Sequence, residues 1–294
     1  MRRRLMAILA VAGLIVVGGL WSFSAPRGLD NSALAGLEGQ AERGRDVFLA
    51  AGCGSCHMAP GRDADPLVMS GGRDFASDFG TFIAPNISPD PEHGIGGWTQ
   101  DHFITAVMRG VSPEGQHYYP AFPYTAYIRA EPQDIADLYA YMMTLPHDAT
   151  PSRPHDIGFP FSIRRAVGLW KALYLREDWV VSSDLTEEEA RGRYLSEALG
   201  HCAECHTPRN LLGALDVSRW LEGAPNPSGR GRIPPIAGDA FTWTAFDISA
   251  YLETGFTPEF DVVGGTMAAV VSNLQQLDAS EREAIAAYLL RLRD

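Results

Sequence analysis

Cys53-Gly-Ser-Cys56-His57 and Cys202-Ala-Glu-Cys205-His206 hold all four cysteines of this chain. The spacing C-x-x-C-H is the covalent attachment signature of c-type haem. Two thiols can add to the two vinyl groups of one porphyrin, and the next residue offers an imidazole to the iron. Two motifs therefore predict two covalently bound haems c, on Cys53, Cys56, Cys202 and Cys205, with His57 and His206 as iron ligands. The implied use is the movement of electrons. A C-x-x-C pair can also be a thioredoxin-like redox site or half of a zinc site. A shared zinc would have to join pairs 149 residues apart. Neither pair lies in a βαβ pattern, both carry the histidine, and no cysteine is left for a disulfide.

The other face of each iron decides what a haem does. A thioether sulfur stabilises ferrous iron, raises the potential and closes the site, which suits electron transfer. Met267, in Val263-Gly-Gly-Thr-Met267, is the only methionine of the C-terminal third and is expected to be that ligand. It lies 12 residues after Gly255. The same count from Gly110 lands on Phe122, which cannot bind iron. Three outcomes stay open for the first haem. Another side chain can serve: His117, five residues upstream, or Met108, near the end of the preceding helix. The iron can be five-coordinate, or a small molecule or water can fill the position. Against these stand plainer roles, a solvated loop histidine and a methionine of a helix core. On the proximal side, each ligand histidine needs its second nitrogen held. The proline loops Ile83-Ala-Pro-Asn-Ile87 and Ile233-Pro-Pro-Ile236 are the expected source of a backbone carbonyl.

The elements that carry these residues occur twice. Glu42-Arg-Gly-Arg-Asp-Val-Phe48 precedes the first motif and Glu189-Ala-Arg-Gly-Arg-Tyr194 the second. A tryptophan then opens a helical segment that stops at glycine, Trp98 to Gly110 and Trp243 to Gly255; glycine is the common helix stop. Each half closes with an amphipathic helix, Asp134–Met143 after Pro132, and Ala284–Leu290 behind an expected capping box Ser280-Glu-Arg-Glu283. No run of alternating strands stands out. The reading is all-α, with two tandem class I cytochrome c-like domains at 37–146 and 185–294. A proline-rich connector, 147–184, holds one helix, Phe161–Tyr174. That helix is expected to wedge between the domains; a membrane-surface or partner-docking helix is the alternative.

Residues 1–24 read as a membrane anchor or signal segment: three arginines before an apolar run from Leu5 to Trp21. The 17-residue run is near the lower limit for a bilayer span. Ser22-Phe23-Ser24 is a passable cleavage site, but Pro26 follows closely. An uncleaved transmembrane helix is favoured over a removed signal, with its arginines cytoplasmic. The formal net charge is −12, and 21 basic against 36 acidic residues remain once Arg2, Arg3 and Arg4 are set aside. Such a balance argues against nucleic acid and favours partners with basic patches, bound less tightly in salt.

Cys53…His57, Phe79-Gly-Thr-Phe-Ile-Ala-Pro-Asn-Ile-Ser-Pro-Asp90, Gly94-Ile-Gly-Gly-Trp98 and Tyr119-Pro-Ala-Phe-Pro-Tyr124, with His201–Asn210 and Gly264-Gly-Thr-Met267, resemble the cytochrome c subunit of membrane-bound bacterial quinoprotein and flavoprotein dehydrogenases. The likeness covers roughly residues 40–294. It implies a dihaem electron carrier, not an enzyme in itself, on the bacterial inner membrane with its soluble part in the periplasm. It implies redox partners as well: a dehydrogenase catalytic subunit or a quinol-oxidising complex as donor, and a terminal oxidase or another cytochrome as acceptor. Two departures matter. Those subunits commonly carry three haems, and their first-domain loop has methionine where Phe122 stands. The rival reading is a haem enzyme, peroxidase-like or oxidising small sulfur compounds at an open first haem.

Overall fold

The computed structural model describes residues 2–61, 65–182, 184–226 and 231–293. Helix α1, Arg2–Phe23, has 22 residues, a mean hydropathy of 2.3 over its most apolar window and no buried residue. Among the described residues it is the one helix long and apolar enough to cross a membrane. The short turn of helix α2, Asn31–Leu34, leads to the first group: α3 (Ala41–Ala50), α4 (Cys53–His57), α5 (Gln100–Arg109), α6 (Tyr124–Tyr127) and α7 (Pro132–Met142). After α8 (Ala166–Tyr174) a second group follows the same order: α9 (Glu187–Arg193), α10 (Ala203–His206), α11 (Ala245–Thr254), α12 (Met267–Leu274) and α13 (Ala279–Arg291).

The repeated Arg-Gly-Arg explains how each group closes. In the first, α3 crosses α7 at Gly44, where a Cβ would lie 1.9 Å from the Asp137 carbonyl oxygen. In the second, α9 crosses α13 at Gly192, where it would lie 1.8 Å from the Ala284 carbonyl oxygen. Only glycine lets backbones approach so closely. The preceding arginine locks each crossing from outside: Arg43 donates to the buried Asp137 carboxylate at 2.6 Å, and Arg191 donates to Glu281 at 2.8 Å. The two copies differ by one residue. Nine positions separate Gly44 from Cys53 and ten separate Gly192 from Cys202. A turn of π-helix at Tyr194–Leu199 takes up the extra residue, since its wider hydrogen-bond loop accommodates one more residue per turn.

Helices α5 and α11 start at Thr99 and Thr244, whose hydroxyls accept from the His102 and Asp247 amides, and end at left-handed Gly110 (φ 59°) and Gly255 (φ 76°). The glycine stops are where the spacing puts them; the threonine caps, one residue past each tryptophan, were not anticipated. The capping box expected at Ser280–Glu283 is not formed. Helix α13 begins at Ala279 with Asp278 at the cap, so Ser280 already lies inside the first turn. The connector helix is shorter than expected, starting at Ala166 instead of Phe161.

The core is helical, with two small sheets added. β1 (Asp74–Ser77) and β2 (Gly80–Ile83) form a hairpin that β3 (Asp156–Ile157) extends, all antiparallel, with Asp74 opposite Ile83 and Thr81 opposite Asp156. β4 (Ala224–Pro225) pairs with β5 (Arg232–Ile233). Strands this short show no period-two pattern to read. One apolar core runs without a break from Val47 and Ile135 in the first group to Leu199, Ile285 and Leu289 in the second.

The connector helix touches both groups. Lys171 of α8 donates to the Arg109 and Gly110 carbonyls at 2.6 and 2.8 Å, and Trp170 donates to the Leu212 carbonyl at 2.8 Å. Lys171 is 9% exposed. Burial, helped by the Arg109 charge, lowers its pKa from 10.5 to about 7. The unfolded chain then binds this proton more tightly than the folded one. The resulting penalty is complete below pH 7 and fades as pH rises toward 10.5. Lys171→Met is expected to lose that slope, at most about 1.4 kcal/mol per pH unit, and to strand two carbonyls. In denaturant titrations the wild-type advantage over the variant should grow from pH 6 to pH 9; a constant gap would contradict this.

Candidate functional site: two C-x-x-C-H helices

Each motif folds into a short helix, so its two cysteines, three residues apart, lie on one face. The residue before each first cysteine is left-handed: Gly52 at φ 63° and His201 at φ 40°. The histidine that follows is held from behind. Nδ1–H of His57 donates to the Pro85 carbonyl at 2.9 Å, and Nδ1–H of His206 donates to the Pro234 carbonyl at 2.8 Å. Donor and acceptor are 28 residues apart in both copies. These are the proline loops singled out from the sequence. A ring that donates from Nδ1 keeps its lone pair on Nε2, the form that binds a metal ion. Burial lowers both histidine pKa values more than anything else, with the carbonyl bond opposing it. Both rings are therefore disposed to be neutral.

The loops behind the motifs match in detail. The Gly71 amide donates to His57 O and the Gly223 amide to His206 O, each at 2.7 Å. The Ile87 amide donates to Met69 O and the Ile236 amide to Leu221 O, each at 2.9 Å. Met69 thus has an apolar counterpart, Leu221, and both are fully buried core residues.

The four thiols are held as neutral groups, three of them part-buried and Cys205 exposed. Burial pushes Cys53 up to about 12 and Cys202 up to about 11, and raises Cys56 and Cys205 as well. A redox dithiol needs the opposite shift. Among the described residues no group of three or more His, Cys, Asp and Glu side chains is placed to hold a metal ion by itself. The donor set therefore fits a covalent haem better than zinc or a dithiol: two neutral thiols three residues apart and an adjacent imidazole with a fixed tautomer.

In each unit, the chain after the helix-ending glycine makes the same hairpin. Val111 bridges His117, and Phe256 bridges Val262. The Tyr118 amide donates to Gly110 O at 2.8 Å, and the Val263 amide to Gly255 O at 2.7 Å. Four residues beyond these bonds lie Phe122, in the turn before α6, and Met267, the first residue of α12, each part-buried against the core. His117 corresponds to Val262. It is not a solvated loop residue; it is buried, and its Nε2 lies 2.9 Å from the Ser24 carbonyl, with which it hydrogen-bonds. Met108 is a buried member of the core on α5.

The two motifs meet, which their separation in the chain does not reveal. His201 and the Tyr127 hydroxyl both hydrogen-bond to the Ala51 carbonyl at 3.2 Å, and their rings pack edge to face at 5.7 Å. Tyr127 also touches Phe122, centroids 6.0 Å apart. The Asn273 side chain, on α12, donates to the Ser55 hydroxyl inside the first motif at 3.0 Å. The Thr125 hydroxyl donates to Glu204, inside the second, at 2.8 Å. None of His201, Tyr127, Asn273 and Thr125 was identified from the sequence. The one available signal was His201 standing where the other copy has Gly52.

The pattern of the family described as cytochrome c matches residues 41–146. A protein of Cereibacter sphaeroides named diheme cytochrome c-type is 53% identical over 293 residues, 99% of each chain. The fructose dehydrogenase cytochrome subunit of Gluconobacter japonicus is 38% identical, covering 84% of this chain and 51% of that one. The cytochrome c subunit of the quinone alcohol dehydrogenase of Gluconobacter oxydans is 32% identical, covering 84% and 54%. The chain thus spans about half the length of those two dehydrogenase subunits. With its paired attachment helices and a full-length relative of that description, the chain belongs to the dihaem c-type cytochromes, electron-transfer proteins that carry covalently bound haem c.

Proposed function

We propose that this chain is a membrane-anchored, periplasmic relay with two tandem cytochrome c units, 37–146 and 185–294. Cys53 and Cys56 would hold one haem and Cys202 and Cys205 the other, with His57 and His206 on the irons and Met267 as the sixth ligand of the second. The haem supplies a one-electron centre; the protein sets its ligands, its burial and its distance from the next. The observation that carries this reading is the contact of the two motifs through Ala51 and His201. It leaves no intervening domain between the two attachment sites.

The names of the dehydrogenase relatives support a donor that is the catalytic subunit of a dehydrogenase; a quinol-oxidising complex is the other donor considered, and an oxidase or another cytochrome the acceptor. A thioether ligand raises the potential, so the second haem is the exit side. For the first haem, Met108 lies in the core, while His117 gives its Nε2 to Ser24 and keeps Nδ1 without a partner, so His57 is the one ligand assigned to that iron.

Intact-protein mass spectrometry is the test. Wild type should carry the mass of two haems. The double variants Cys53→Ser/Cys56→Ser and Cys202→Ser/Cys205→Ser should each carry one. Two haems on either double variant would overturn the assignment.

A further inference from the structure

The C-terminal end of α1 is clamped to the globular body. The Ser24 carbonyl takes the His117 hydrogen bond, and Arg165 donates to the Ser24 hydroxyl at 3.1 Å and to the Trp21 carbonyl. The Arg165 guanidinium also lies over the Trp21 ring, 4.3 Å from its centroid. Gly168 of α8 sits so close that a Cβ would come within 2.2 Å of Ser24 O. The body therefore has a set height and tilt relative to the helix, not a tether's freedom.

Immediately before Arg165 the chain displays apolar side chains to solvent. Phe159 is 83%, Phe161 45% and Ile163 48% exposed. This turn is ordered. The Phe161 carbonyl accepts from the Tyr119 hydroxyl at 3.0 Å, its ring packs edge-on against Phe79 at 4.9 Å, and the Ile163 amide donates to Pro160 O at 3.1 Å. The patch extends into the second unit, because Phe79 also abuts Gly213, beside Leu211, which is 97% exposed. Two residues span at most about 7 Å, so Ile163 stays within that reach of Arg165, which grips Trp21. Tryptophan and arginine at the end of an apolar helix mark the level of the membrane–water interface.

Charge points to the same occupant. In a chain of net charge −12, residues 157–176 contain no aspartate or glutamate and carry Arg164, Arg165, Lys171 and Arg176. An apolar face with basic neighbours suits a bilayer with anionic headgroups. A partner recognised by this protein's acidic surface would be repelled here.

We propose that Phe159, Phe161, Ile163 and Leu211 form a second membrane contact, seated in the lipid interface beside the exit of α1. It rests on α1 being a retained anchor. The contact holds both haem units in one orientation over the membrane.

The test uses the full-length holoprotein in nanodiscs of phosphatidylcholine and phosphatidylglycerol. The native cysteines are consumed as thioethers, so one introduced cysteine is the only thiol for a nitroxide label. Labels are placed through Phe161→Cys, Leu211→Cys, Val11→Cys in the span, and Gln275→Cys on an exposed turn of the second unit. Collision with oxygen should exceed collision with a water-soluble nickel chelate at 161, 211 and 11, and the order should reverse at 275. Water-like values at 161 and 211 with a lipid-like value at 11 would overturn the contact and leave the face to a protein partner. A water-like value at 11 would overturn the anchor, and the proposal with it.

Discussion

A Met267→Ala variant is expected to keep both covalent haems and to lose the higher of the two reduction potentials. Axial ligands set potentials over roughly 0.8 V, and loss of a thioether should lower one potential by on the order of 0.1 V. The reciprocal change is Phe122→Met. Residues 110–118 and 255–263 share one hairpin, with the same bridge and the same amide-to-glycine bond, and Phe122 and Met267 each follow it by four residues. A methionine at 122 should therefore reach the first iron and raise its potential by a comparable amount. Met108→Ala and His117→Ala should leave the ligand signature of ferric protein unchanged in magnetic circular dichroism. Potentiometric titration of the four variants decides it. If Met267→Ala titrates like wild type while Met108→Ala or His117→Ala shifts, the ligand assignment is wrong.

Gly44→Ala and Gly192→Ala are expected to be the most destabilising single-methyl additions in the chain. A carbonyl oxygen within 2 Å of the new Cβ cannot move without parting α3 from α7 or α9 from α13. Overpacking of a rigid contact costs ~1–3 kcal/mol and sometimes more; here the clash is with backbone, so about 3 kcal/mol or above is expected. Gly158→Ala is the control. It has open space around it and no left-handed φ, and its effect should stay within about 0.5 kcal/mol. Denaturant unfolding of the holoproteins measures all three. Equal stability of Gly44→Ala and Gly158→Ala would mean that the helix crossing is not as tight as the geometry requires.

The two attachment motifs were legible because their chemistry depends on local spacing. Three covalent or coordinating groups must come from five consecutive residues, so C-x-x-C-H survives as a string. The helix stops at Gly110 and Gly255 were legible for a similar reason, since left-handed backbone favours glycine. Counting from those stops located Phe122 and Met267 at matching places. The threonine caps were missed because the tryptophans beside them drew the boundary, and the Ser280 box failed because Asp278 offered an earlier start. The two sheets were missed because two to four residues carry no periodicity.

What only the tertiary structure decided is where distant groups meet. His117 looked like a free loop imidazole and is instead a buried ring that bonds through Nε2 to the Ser24 carbonyl, 93 residues away. Sequence spacing cannot foresee that, because a hydrogen bond across a fold depends on how α1 and α8 pack. The meeting of the two motifs through Ala51 and His201, 150 residues apart, is likewise a product of a shared core. By itself the sequence determined the cofactor chemistry, the repeat and the apolar N-terminal helix, all encoded in short range or in composition. The three-dimensional fold determined which imidazoles keep a free nitrogen, which glycines bear helix crossings, and which apolar residues are left facing outward, because each of these depends on neighbours supplied by another part of the chain.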